Sequence, residues 1–320
     1  MSKKTIVSAG TLLVLLAAAV LTWTNRYNIY DWSRLQSYTP SAVVEQLSSK
    51  SGMSSYGQRL FYVNYPQISD RTTFNSQCTT TEQTIVLGCY TGTHIYVFKV
   101  DDPKLAGVEE VTAAHEMLHV AYQRLSPSEK MRIDGLVQAA YKRVDDPNLV
   151  QVVAGYQKTE PGQEANELHS ILGTEYANVG PELEAYYAKY FADRTKVVTL
   201  ANNYKKVFQD IENQVEKYDA DLSLRKAEIT RREAALDTKA AQLEAQNSQM
   251  DANLRAGRSG AYNAQVYSYN SGVNAYNAEV AAVKNLIAEY NNLVQTRNNL
   301  ALQQQGLAQS LDSRVNSISQ

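Results

Sequence analysis

The longest apolar run in the chain is its first. Thr5 to Trp23 carries no charged residue and includes Leu12-Leu-Val-Leu-Leu16 and Ala17-Ala-Ala-Val-Leu21. As a helix it would extend about 28 Å, close to the roughly 30 Å hydrocarbon core of a bilayer. Lys3 and Lys4 precede it and Trp23 closes it, the flanks of an uncleaved transmembrane anchor over 5–23 with a cytoplasmic tail over 1–4. Small residues at Ala17 to Ala19 leave a cleaved signal peptide as the alternative. Either way the remainder of the chain is exported.

Beyond the run the pattern is mixed. Ser41 to Ser49 predicts a short helix starting at Thr39 or Pro40, and Arg59-Leu-Phe-Tyr-Val63 a strand or a helix end. Arg71 to Thr81 predicts a polar loop. Thr84 to Tyr90 and His94 to Val100 are β-rich runs around Thr91-Gly92-Thr93, a hairpin signal. A helix is predicted from Val108 to Arg124, after Gly107. Ser126-Pro127-Ser128-Glu129 opens the next, with Ser126 as N-cap and Glu129 completing a capping box. Further helical stretches follow at Leu149 to Tyr156, Gln163 to Ala177, and from Gly180-Pro181 towards Phe191.

From about Lys196 a seven-residue repeat takes over. Phe208, Val215, Leu222, Ile229, Leu236, Leu243 and Met250 form one seam. After Arg255-Ala-Gly-Arg-Ser-Gly260 a second series runs from Val266 through Tyr269, Val273, Tyr276, Val280, Val283, Ile287 and Tyr290 to Val294. Such spacing predicts a coiled coil over 196–320. A break at 256–261 favours an antiparallel hairpin, each arm on the order of 80 Å, over a continuous parallel dimer. The fold class expected is α+β, with domain boundaries at 24–195 and 196–320.

The chain has 320 residues and a net charge of -2, which gives no basic footprint for nucleic acid. Cys78 and Cys89 are too few for a disulfide framework, but export makes one bridge between them the expected state. His94 opens a strand, where a structural or surface role is expected.

The helix after Gly107 holds the candidate chemistry: His115-Glu116-Met117-Leu118-His119. Positions four apart share a helix face, so both imidazoles can reach one metal ion. Glu116 lies beside that face, where a carboxylate can take a proton from the attacking water. This is the HExxH pattern of zinc metallopeptidases. The competing reading is a buried amphipathic helix whose histidines are satisfied by hydrogen bonds.

Catalytic zinc needs a third protein ligand and an open position. Asn166-Glu167-Leu168-His169-Ser170 resembles the thermolysin-type N-E-x-x-S-D pattern of the gluzincin branch, with Ile171 where that pattern has Asp. The resemblance covers only these two segments. It implies a small zincin-like catalytic domain over 24–195, with zinc held by His115, His119 and Glu167. His169 and Glu164 are the rival third ligands. Otherwise the resemblance gives His169 the task of steadying an oxyanion; Glu175 is expected to orient a histidine ligand. The missing aspartate leaves the usual carboxylate support of a histidine ligand unassigned.

The function expected is that of a membrane-anchored, extracytoplasmic zinc endopeptidase with Glu116 as general base. Its partners would be a peptide or protein substrate, the membrane through the N-terminal helix, and a protein or second copy through the coil. The alternative is a non-enzymatic envelope scaffold with a degenerate zincin domain.

Overall fold

A computed structural model describes the backbone of residues 3–78, 85–159 and 161–314, and their side chains except at 3–11, 13 and 159. The chain divides into two compact units, Met1–Val207 with Leu307–Gln320, and Phe208–Gly306.

The first unit begins with α1 (Lys3–Thr24), α2 (Arg26–Leu35), α3 (Ala42–Lys50) and α4 (Ser55–Tyr62). Among the described residues no helix is long and apolar enough to cross a membrane. The anchor expected over 5–23 falls partly on residues whose side chains are not described. The cap of α3 is Ser41, whose hydroxyl accepts from the Val44 amide, one residue after the expected start. The ambiguous 59–63 run is the end of α4.

Next come β1 (Gln67–Ser69), α5 (Arg71–Gln77), β2 (Gly88–Tyr90) and β3 (Ile95–Phe98). The segment read as polar loop is helical as far as Gln77. The Asp70 carboxylate caps it by accepting from the Thr73 amide at 2.8 Å, and its one large apolar residue, Phe74, is buried. A single buried residue leaves no periodicity to read. The expected hairpin is present, with Cys89 opposite Tyr96, though Thr84 lies outside the described residues. It is joined by β1, parallel to β3, giving the order β1-β3-β2 with β2 at one edge. Cys78 and Cys89 form a disulfide that ties the end of α5 to this edge strand. His94 lies against the rings of Tyr65 and Tyr96, a structural position.

A single-turn 3₁₀ helix then leads into α6 (Val108–Gln123), which carries His115, Glu116 and His119. It is buried on most sides because Ala113 and Ala114 let neighbours close in, while Val111, Met117, Leu118 and Val120 fill the core. α7 (Pro127–Tyr141) starts at the Ser126–Glu129 capping box. α8 (Pro147–Thr159), α9 (Glu164–Glu175) and α10 (Pro181–Tyr187) follow. α9 lies between α6 and α7. At Gly173 a Cβ would stand 2.4 Å from Leu118 Cδ1 and 2.8 Å from Tyr187 Cε1, so both buried side chains use the room the glycine leaves as α9 approaches α6.

α11 (Arg194–Arg255) and α12 (Ser259–Leu311) make the long helical hairpin. Its turn is tighter than the expected 256–261. Gly257 takes a φ of +71°, and the Arg258 amide reaches back to Asn253 O at 2.9 Å, closing α11. Within the second unit the two helices run antiparallel, as Arg297–Asp219, Arg225–Glu289 and Gln246–Ser268 pair in reverse order along the chain. Leu243, Met250 and Val283, all from the heptad series, are buried there.

Candidate metal centre

One turn of α6 separates His115 from His119, and their ring centroids lie 4.7 Å apart. Together with Glu116 they form a group whose potential ligand atoms all lie within 4.8 Å of one another, able to hold a metal ion. Glu116 is buried, and its carboxylate lies against the edge strand. At Gly88 a Cβ would stand 2.6 Å from Glu116 Oε1 and 2.5 Å from Thr112 Cγ2, so β2 packs on the carboxylate by virtue of having no side chain there.

α9 brings Glu167 to the same place. Its Oε2 stands 3.5 Å from His115 Nε2, and its Oε1 stands 3.5 Å from His119 Nε2. Ligands about 2.0–2.2 Å from a tetrahedral ion are separated from each other by roughly 3.3–3.6 Å. The Glu167 carboxylate therefore stands about one ligand–ligand separation from the Nε2 of each imidazole. Burial alone would raise the Glu167 carboxyl. The nearby His119, the hydrogen bond and charge of His115, and a hydrogen bond from Tyr156 outweigh it and hold the pKa down at about 2. Glu167 is thus a carboxylate at any pH where the protein would work.

The support that Ile171 cannot supply comes from elsewhere on α9. His119 Nδ1 lies 3.1 Å from Asn166 Oδ1 and 3.3 Å from Ser170 Oγ. An amide oxygen accepts only, so Nδ1 carries a proton, which leaves Nε2, on the side of Glu167, as the nitrogen available to a metal. Asn166 is in turn steered by Gln163, whose side-chain oxygen accepts from it at 3.3 Å.

The other candidates on α9 do not converge. His169 is fully buried, with Nε2 on the Tyr186 hydroxyl at 2.9 Å, and it does not line the cavity. Burial, then His119 and His115, lowers its pKa to about 3, so it is neutral. This position corrects both roles expected of it, ligand and oxyanion donor. α9 is covered on both sides, so the face two residues beyond Glu167 points into a tyrosine cluster rather than into the cavity. Glu164 accepts from the Gly162 amide at 2.9 Å near the start of α9. Glu175 is paired with Lys205 at 2.6 Å, not with a histidine.

A cavity of about 650 Å³ opens over the group, bordered by β2, His115, Glu116, His119, Tyr156 and Glu167. Asn166 and Ser170 were within reach of sequence reasoning, as members of the motif that singled out Glu167. Tyr156 and Gly88 carry no sequence signal for their parts. Comparison with protein-family models, with characterised proteins and with solved structures finds no match for this chain.

Proposed function

We propose that the protein is a zinc-dependent endopeptidase, with His115, His119 and Glu167 as the ligands of the metal. The observation that carries this reading is the pair of 3.5 Å separations between the Glu167 carboxylate and the two imidazoles. A bound zinc would supply Lewis acidity, polarising the scissile carbonyl and lowering the pKa of the attacking water.

The chain's own residues do the rest. Glu116, beside the ligands but held against β2, accepts the proton of the attacking water and passes it to the departing amine. Asn166 and Ser170 fix the orientation of His119, and Tyr156 that of Glu167. β2 is an edge strand bordering the cavity, and an extended peptide would bind by adding a strand to it.

The enzyme is anchored by the uncharged 5–23 segment with its bulk outside the cytoplasm. The Cys78–Cys89 disulfide supports an oxidising compartment. The helical hairpin serves as a binding arm for a protein partner or a second copy.

The test is hydrolysis of an unfolded protein by the full chain in detergent, read as newly formed amino termini. The reading requires cleavage that stops with chelator, returns with zinc, and is absent in Glu116→Gln. A non-enzymatic scaffold would produce no new termini under any of these conditions.

A further inference from the structure

α2 has two faces of opposite character. Its inner face is bolted to the unit that carries the metal centre. Asp31 is 1% exposed and accepts from Arg59 Nε at 2.8 Å and from Arg124 through both terminal nitrogens, at 3.0 and 2.7 Å. Arg124 is the C-cap of α6, so this pair joins α2 directly to the helix of His115 and His119. One turn on, Arg34 donates to Val63 O at 2.7 Å and to Thr93 O at 3.0 Å, and lies over the Tyr65 ring. Ion pairs that exclude water on one side of a short helix hold it in one orientation.

The outer face is uncovered and sets large apolar side chains among the exposed polar Asn28 and Ser33. Ile29 is 49% exposed and Trp32 66%, and Trp23, just before the helix, is 69% exposed. Exposed Arg26 sets its guanidinium 4.7 Å from the Trp23 ring centroid. This face continues into α1, where Leu12, Val14, Leu15, Leu16, Val20 and Leu21 are each more than half exposed. Those positions surround the helix axis, so no single protein groove would cover them. A helix whose described apolar side chains are exposed on every side fits lipid. Tryptophan with an adjacent arginine fits the headgroup level, where an indole is half in hydrocarbon and a guanidinium meets phosphate.

We infer that α2 lies in the headgroup layer of a phospholipid bilayer with Trp32 and Ile29 towards the lipid, and that the Asp31–Arg124 pair thereby fixes the metal centre at the membrane surface. The inference rests on the anchor reading above and goes beyond it, because an anchor alone leaves the orientation of the catalytic unit free. His119 is five residues from Arg124, about 7.5 Å along α6, so the centre lies close to the helix that the headgroups would hold. Polypeptide segments close to the bilayer are the substrates such a placement favours.

The chain contains only two tryptophans, Trp23 and Trp32, which makes the test direct. The full chain is reconstituted in phosphatidylcholine–phosphatidylglycerol vesicles carrying lipids brominated either near the carbonyls or near the chain ends. Trp23→Phe leaves Trp32 as the one reporter, Trp32→Phe leaves Trp23, and far-ultraviolet circular dichroism checks that both variants keep their helix. The expected result is Trp32 quenched at least about twofold more by the shallow than by the deep bromines, as for an interfacial side chain. Trp32 should also be shielded from aqueous iodide. Trp32 quenched by iodide and not by bromolipid, with Trp23 still quenched by bromolipid, would overturn the inference and leave the anchor standing. Trp32 shielded from both would mean that protein covers the face, which also overturns it. Failure of the protein to float with vesicles would bring down the anchor reading as well.

Discussion

Asn166 reaches from α9 to set its amide oxygen 3.1 Å from Nδ1 of His119 on α6, and this contact decides which nitrogen of the imidazole carries the proton. With a proton held on Nδ1, Nε2 is the nitrogen left for a metal on the side of Glu167. The motif position that lacks an aspartate, Ile171, is thereby replaced by a neutral acceptor five residues earlier. Partners of this kind are typically worth 10- to 100-fold in metal affinity, by the general order of magnitude. Asn166→Ala should therefore weaken zinc binding by about tenfold or more, with Asn166→Asp at or above wild type. Competition against a chelator of known affinity measures both. Equal affinity of the Ala variant and wild type would remove Asn166 from the account.

Gly88 should prove as sensitive as a catalytic residue while touching no metal. A methyl group there would collide with Glu116 Oε1 and Thr112 Cγ2, so either the base or the edge strand must move. A displacement of about 1 Å in a reacting group costs on the order of 10²-fold in rate. Gly88→Ala is expected to lose that much kcat and to keep its zinc, since His115, His119 and Glu167 are untouched. Loss of zinc together with rate would point to general unfolding instead.

The pH dependence of the metal-free protein follows from Glu167. Its pKa is lowered in the fold to about 2, from an ordinary 4.5. A depressed carboxyl contributes stability that is complete above its unfolded pKa and disappears as pH falls through the folded one. Glu167→Gln removes this contribution. In chelated protein, the stability advantage of wild type over the variant should shrink as pH falls from 4.5 to about 2. Urea unfolding at a series of pH values reads it. An advantage that grows in acid would reverse the sign and refute the assignment.

Cys78 and Cys89, separated by 11 residues, close a loop whose entropy corresponds to about 3 kcal/mol of stability. Replacing both by Ser should lower unfolding stability by that order, and should also loosen β2, on which Glu116 rests. A rate loss greater than the loss of folded protein would show the second effect. An unchanged rate in the folded fraction would show that β2 holds without the bridge.

What could be read from the sequence was local. His115 and His119 lie within one turn, Ser126 and Glu129 within one cap, Asn166 and Glu167 within one short motif, and the heptads repeat within each arm of the hairpin. Each needs only the geometry of a single helix. What could not be read depends on contacts across the chain. His169 looked as available as Glu167, because nothing local says that α9 is covered on both faces. α5 has one buried apolar residue and no period. β1 is three residues long and exists because β3 offers it an edge. Asp31 finds Arg124 across 93 positions, and no spacing rule joins them.

The most direct test of the central claim is the metal content of the purified full chain, by mass spectrometry, with Glu167→Ala and His119→Ala alongside. The account predicts about one zinc per wild-type chain and loss or severe weakening in both variants, as a site with three protein ligands requires. Zinc retained by Glu167→Ala would contradict the ligand set. No zinc in the wild type after metal is supplied would contradict the metal centre itself.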